Sequence, residues 1–141
     1  MEGKVIEAVG VAIINKDEHV LIAKRTADKP MPNKWEFPGG KLEEGENLEA
    51  CGVREIKEEL ELDIIIDSYL GFEDIYYKSK DFRLHLYSAH LSDEEQEFSL
   101  NEHTDAHWIS FEAFDHYDFP ASKLSFVNTL KELLDSRNSL R

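Results

Sequence analysis

Cysteine occurs once in this 141-residue chain, at Cys51, so no disulfide can form within it. A lone thiol on an apolar stripe reads as a small packed hydrophobe rather than a nucleophile. Proline is scarce too: Pro30, Pro32, Pro38 and Pro120 are the only ones, which leaves long stretches free to form strands and helices. No apolar run approaches the ~20 residues of a membrane helix. The opening Met1-Glu2-Gly3-Lys4, with Glu7 soon after, lacks the pattern of a signal peptide. The expected setting is therefore a reducing cytoplasm with no membrane partner. Cations are short, 16 Lys and Arg against 30 Asp and Glu, a net charge of −14. That balance argues against a partner such as long nucleic acid, whose binding depends on neutralising backbone phosphate. With 41% hydrophobic and 11% aromatic residues, the chain is no disordered acidic tail. It shows no repeat and no linker, and reads as one domain over 1–141 with a core of its own.

The acidic excess is concentrated. Between Glu43 and Asp63 nine carboxylates stand against Arg54 and Lys57, which leaves −7 (nine minus two), half of the total. The same stretch predicts a helix over Leu48–Leu60. Leu48, Cys51, Gly52, Ile56 and Leu60 recur at steps of three and four, and Asn47 is placed to cap the start. On such a helix Glu55, Glu58 and Glu59 share one face. Like charges at that spacing repel by a few tenths of a kcal/mol per pair. Arg54, four residues before Glu58, offsets part of this. Divalent cations that prefer oxygen ligands would offset the rest. A solvated acidic face is the alternative that spacing alone leaves open. Bound cations would turn the local field positive, so the net charge does not exclude a small phosphate-bearing substrate.

Around this stretch, Ala8–Ile14 and Val20–Ala23 read as a hairpin about Asn15-Lys16-Asp17-Glu18, delivering Lys24 and Arg25 at its end. Ala27 to Asn33 is a proline-bearing loop, and Trp35-Glu36-Phe37-Pro38 a short extended piece. Gly39-Gly40 allows close backbone approach. Strands are expected at Leu62–Ile66, Tyr69–Tyr77, Phe82–Leu91 and Ala106–Ile109, with a surface loop over Ser92–Asn101 and a helical turn over Phe111–Phe114. Ser122–Asn138 reads as an amphipathic helix with Phe126, Leu130, Leu133 and Leu134 inward. The order implies an α/β fold, a mixed sheet between helices in an α/β/α sandwich. Among the histidines, His85 reads as half-buried, His103 and His116 as solvated, and His107 as a candidate to face the site. Trp108 reads as core.

Gly40, five residues, Glu46, seven residues, then Arg54-Glu55-Ile56-Lys57-Glu58-Glu59-Leu60-Glu61-Leu62 resembles the Nudix box of the Nudix hydrolase family. One position departs from the family pattern: Glu61 stands where the box has glycine, at the end of the helix, where a left-handed cap is expected. The resemblance implies a Nudix α/β/α sandwich and hydrolysis of a nucleoside diphosphate linked to another moiety, with Mg²⁺ or Mn²⁺ as cofactor. It implies that Glu55, Glu58 and Glu59 are metal ligands, with the Gly39 carbonyl a further contact. Glu55 would also activate water, while Arg54 and Glu46 orient the site.

Trp35-Glu36-Phe37-Pro38-Gly39-Gly40-Lys41, Ala8-Val9-Gly10 and Asp118-Phe119-Pro120 resemble the MutT branch, which converts nucleoside triphosphates to monophosphate and pyrophosphate and so sanitises the nucleotide pool. By that likeness Arg25 and Lys41 touch phosphates and Glu102 is an outlying carboxylate. Trp35 and Phe37 either stack on the base or belong to the core. Lys123 stands where the branch has the asparagine that reads oxidised guanine, so 8-oxo-dGTP and CTP or methylated dCTP remain open as substrates. A non-catalytic nucleotide sensor, another nucleoside diphosphate derivative and an acidic interaction domain are the rival readings. The expected assembly is a monomer or homodimer.

Overall fold

In the computed structural model, which describes residues 4–29, 31–119 and 124–139, the apolar runs divide between two sheets. The first has four strands in the order β4-β1-β6-β5: β4 (Gly39–Lys41), β1 (Ile6–Ile13), β6 (Lys80–Leu91) and β5 (Ile64–Tyr77). Within it β1 runs parallel to β6, and the other pairings are antiparallel. The second sheet is antiparallel, with β2 (Val20–Lys24) between β3 (Trp35–Glu36) and β7 (Asp105–Ile109).

The expected hairpin is therefore only a turn. The Asn15 N–H donates to the His19 carbonyl at 3.0 Å and a lone bridge joins Ile14 to Val20. Beyond that the two strands part into different sheets. The reason lies in their composition. Both β1 and β2 are apolar at successive positions, so each has two faces to bury rather than one. Val9, Val11, Ile13, Leu21 and Ala23 face a core shared with Cys51, Ile56 and Leu60. Ala12, Ile14, Val20 and Ile22 face a second core closed by Phe126, Leu130 and Leu134. One helix covers each side, which gives the α/β/α layering.

The first helix, α1 (Leu48–Leu60), has the predicted bounds. The Asn47 side chain accepts from the Ala50 N–H at 2.8 Å, the expected N-cap. At the other end Glu61 adopts the left-handed conformation (φ 57°, ψ 35°) and its N–H reaches the Lys57 carbonyl. The cap geometry survives without glycine, at a cost of about 1 kcal/mol. Gly52 lets α1 lie close on the sheet, since a Cβ there would stand 3.2 Å from a methyl of Val11.

The expected strand at Tyr69–Tyr77 is not separate. It continues from Ile64 as one 14-residue strand, kinked by register shifts between Ile66 and Ser68 and between Tyr69 and Gly71. A 3₁₀ turn at Phe111–His116 leads toward the second helix, α2 (Leu124–Ser139). Its expected start at Ser122 lies outside the described residues. No helix among the described residues is long and apolar enough to cross a membrane.

Candidate active site

The acidic face of α1 lies against β4, where Gly39 allows close pairing with β1 and Gly40 admits the helix side chain. A Cβ on Gly39 would fall 1.8 Å from the Val9 carbonyl oxygen, and one on Gly40 would fall 2.4 Å from the Glu55 carboxylate. Glu55 is thus seated directly on the Gly40 backbone. Its other support is Arg54, whose Nη1 donates to Glu55 Oε1 at 2.8 Å and to Glu58 Oε2 at 3.1 Å. The same guanidinium donates through Nε and Nη2 to both oxygens of Glu46, at 2.7 and 3.0 Å, and to the Lys41 carbonyl at 3.1 Å. Hydrogen bonds from Arg54 hold the Glu46 carboxyl down at about 2. The Cys51 thiol beside them is pushed up to about 12, first by burial and then by Glu46, so it is inert at neutral pH.

Glu59 is treated differently. It is only 4% exposed, and its Oε2 has no hydrogen-bond partner among the described residues. Burial pushes its carboxyl far above the ordinary carboxylate range, and the nearby Glu36, Glu55 and Glu102 push it the same way. Ligand-capable oxygens of Glu55, Glu59 and Glu102 all lie within 4.8 Å of one another. Glu102 comes from the loop before β7, which is tied to α1 by Asn101: its N–H donates to the Glu59 carbonyl and its side chain to the Glu58 carbonyl. Three carboxylates this close, one of them buried with an oxygen unpartnered among the described residues, suit a hard divalent cation, which would replace their repulsion by attraction.

The remaining predicted residues divide. Glu58 stands outside this close group, exposed and bonded to Arg54. Gly39 pairs with Gly10 in the β4–β1 ladder. Arg25 donates to Glu36 Oε1. Lys41 is exposed, its ammonium 6.0 Å from the centre of the Phe82 ring. Trp35 and Phe37 are both buried in the second core, Trp35 against His107 and Tyr117, Phe37 against Phe114 and Phe119. His107 accordingly packs on that side, bonded to the Tyr117 hydroxyl. Trp108 is partly buried against the first core. His85 is buried, between Glu7 and Tyr69. Lys123 lies outside the described residues.

His103 is not solvated. It is 9% exposed, its Nε2 lies 2.8 Å from Glu36 Oε2 and 3.6 Å from Glu59 Oε1, and its Nδ1 has no partner among the described residues. Glu36 and His103 are the two site neighbours that sequence reasoning missed. They are 67 residues apart and meet because β3 and β7 flank the same end of β2, with Glu36 and Ala106 both opposite Ala23. Neither local spacing nor charge signals that meeting.

A NUDIX domain model matches residues 4–130. The chain is 35% identical over 126 residues to the 8-oxo-dGTP diphosphatase of Escherichia coli (strain K12), covering 89% of this chain and 95% of that one. It is 29% identical over 134 residues to the CTP pyrophosphohydrolase of the same organism, covering 95% and 97%. The crystal structure of a MutT protein from Methanosarcina mazei Go1 superposes with a TM-score of 0.80, covering 98% of each chain at 23% identity, and so shares the fold. Sequence, architecture and the acidic face on α1 agree: this chain belongs to the NUDIX hydrolase family, with MutT-like relatives.

Proposed function

We propose that the chain works as a single NUDIX domain in the cytoplasm, hydrolysing a nucleoside triphosphate to the monophosphate and pyrophosphate with Mg²⁺, or Mn²⁺ in its place. The convergence of Glu55, Glu59 and Glu102, with Glu59 buried and one of its oxygens unpartnered among the described residues, carries this reading. Those three carboxylates would hold the cation, with exposed Glu58 and the Gly39 carbonyl completing the proposed set. A cation held there would supply positive charge against phosphate oxygens and the charge that develops on the leaving group. Glu55, held by Arg54 and seated on Gly40, takes the proton of the attacking water. The water oxygen bonds to an inner phosphorus as the P–O bond that bridges the α- and β-phosphorus breaks, which divides the triphosphate into monophosphate and pyrophosphate. Glu46 fixes Arg54, and through it Glu55. Arg25 and Lys41 orient the phosphates by charge.

For the base, the named activities of the two E. coli relatives support 8-oxo-dGTP and CTP as the first substrates to try. Trp35 and Phe37, buried in the second core, would back a base from within rather than stack on it in the open, and Lys123 is the proposed discriminator. The test is a panel of ordinary, oxidised and methylated nucleotides with Mg²⁺, scored by released pyrophosphate. Release from at least one member supports the reading. Tight nucleotide binding with no release from any would favour a sensor instead. Lys123→Asn should raise activity on 8-oxo-dGTP relative to CTP, and an unchanged ratio would remove Lys123 from base recognition.

A further inference from the structure

Behind the proposed cation ligands lies a line of buried polar side chains that the reaction as written does not use. Glu36, at the end of β3, is 6% exposed and divides its two oxygens: Oε1 receives Arg25 Nη1, and Oε2 lies 2.8 Å from His103 Nε2. An ionised carboxylate only accepts, so the proton of that last bond sits on Nε2. The same nitrogen is 3.6 Å from Glu59 Oε1. A single imidazole N–H thus lies between two buried carboxylates from two separate elements, β3 and α1.

Burying such groups is a poor route to stability, since desolvation offsets most of the attraction and apolar side chains of equal volume do as well. Nor is the arrangement internally complete. Glu59 Oε2 and His103 Nδ1 are both buried without a partner among the described residues. A cluster selected for stability alone would satisfy them. Glu59 is common to two close groups, one with Glu55 and Glu102 and one with Glu36 and His103; its Oε1 faces His103, and its Oε2 has no partner among the described residues. His103 therefore stands against one oxygen of Glu59, at 3.6 Å, and leaves the other unpartnered among the described residues. Removing its N–H would leave Glu36 and Glu59 facing each other with no donor between them, and Glu59 would be free to turn away.

We infer that Glu36 and His103 are positioning residues: His103 sets the carboxylate of Glu59 toward a divalent cation, and Glu36 anchors both His103 and the phosphate-facing Arg25. This rests on the proposed role of Glu59 as a cation ligand. Partners of this kind, one step behind a metal ligand, change metal affinity or activity by about 10–100-fold when removed.

The test is Mn²⁺ titration of the nucleotide-free protein, followed by electron paramagnetic resonance, on the native chain, His103→Leu, His103→Gln and Glu36→Gln. Thermal unfolding with EDTA is run alongside. His103→Leu should weaken Mn²⁺ binding about tenfold or more, whereas His103→Gln, whose amide N–H can stand in for Nε2–H, should stay within about threefold of native. Should His103→Leu not fold, His103→Asn, whose shorter amide does not reach Glu36, takes its place with the same expected loss. Glu36→Gln should weaken Mn²⁺ and, at saturating Mn²⁺, raise KM more than it lowers kcat, because Arg25 loses its charged anchor. His103→Leu at saturating Mn²⁺ should leave KM near native. Loss of melting temperature with native Mn²⁺ affinity in the folded variants would make the pair structural and overturn the inference. So would equal losses in His103→Gln and His103→Leu. A native chain that binds no Mn²⁺ overturns this inference and the cation site together; native binding with unaltered variants overturns this inference alone.

Discussion

Arg54 and Glu59 lie five residues apart on one helix and receive opposite treatment. The guanidinium of Arg54 is surrounded by acceptors, from Glu46, Glu55, Glu58 and the Lys41 carbonyl. Glu59 is buried among other acids, with one oxygen unpartnered among the described residues. The first arrangement is complete in the protein alone and works as a brace. The second leaves a buried acid that is relieved by protonation or, as proposed, by a cation. Charge on the helix is thus divided between a paired group and a crowded one, and Glu55 joins the two: Arg54 grips it from one side, and it shares the close carboxylate group with Glu59 on the other.

The sharpest way to break this division is at Glu55. Glu55→Gln keeps the shape and an acceptor for Arg54 but cannot take a proton, and should cut kcat by ~10²–10⁴-fold with the melting temperature within a few degrees of native. Steady-state kinetics and a thermal scan check both halves. Gly40→Ala attacks the same carboxylate from the backbone. Its Cβ would fall 2.4 Å from the Glu55 carboxyl carbon, so the side chain must swing away. A displacement near 1 Å at a reacting group costs ~10²-fold in kcat/KM, while stability changes little because the flexible side chain is what yields.

A smaller effect separates the brace from the cation cluster by pH. Glu46 has a folded pKa below that of a free carboxyl, so its contribution to stability is present above the free value of 4.5 and is lost as pH falls toward about 2. Glu59 has a folded pKa above the free value. Its relief is complete below 4.5 and is lost progressively as pH rises toward the raised native value. Denaturant unfolding in EDTA should therefore show stability falling on both sides of the acidic range, and saturating Mn²⁺ should remove the decline on the high-pH side only. A decline that persists with Mn²⁺ would dissociate Glu59 from the cation. The smallest expected effect is a control away from the chemistry. Glu61→Gly relieves the left-handed cap and should stabilise the fold by about 1 kcal/mol in urea unfolding, with kcat unchanged.

What could be read in advance follows from how local each signal is. The helix bounds, the Asn47 cap and the shared face of Glu55 and Glu59 depend on neighbours within a turn, and all were legible. The parting of β1 from β2 was not, because Ile14 and Val20 suit a hairpin equally well, and only burial of both faces of each strand forces two sheets. His103 misled for a related reason. Its polar surroundings in the chain suggest solvent, yet its neighbours in space arrive from β3 and α1. Glu58 matches its box position in sequence, but the structure turns it toward Arg54 and sets Glu102 in the close group instead.

The central claim is that these carboxylates act through a divalent cation on a phosphate chain. Its most direct test is pyrophosphate release from 8-oxo-dGTP and CTP with Mg²⁺, repeated after excess EDTA and again after Mg²⁺ is restored. Monophosphate and pyrophosphate should appear in equal amounts, both should be lost on chelation, and both should recover fully when the cation is restored. Release that continues undiminished in excess EDTA would contradict it.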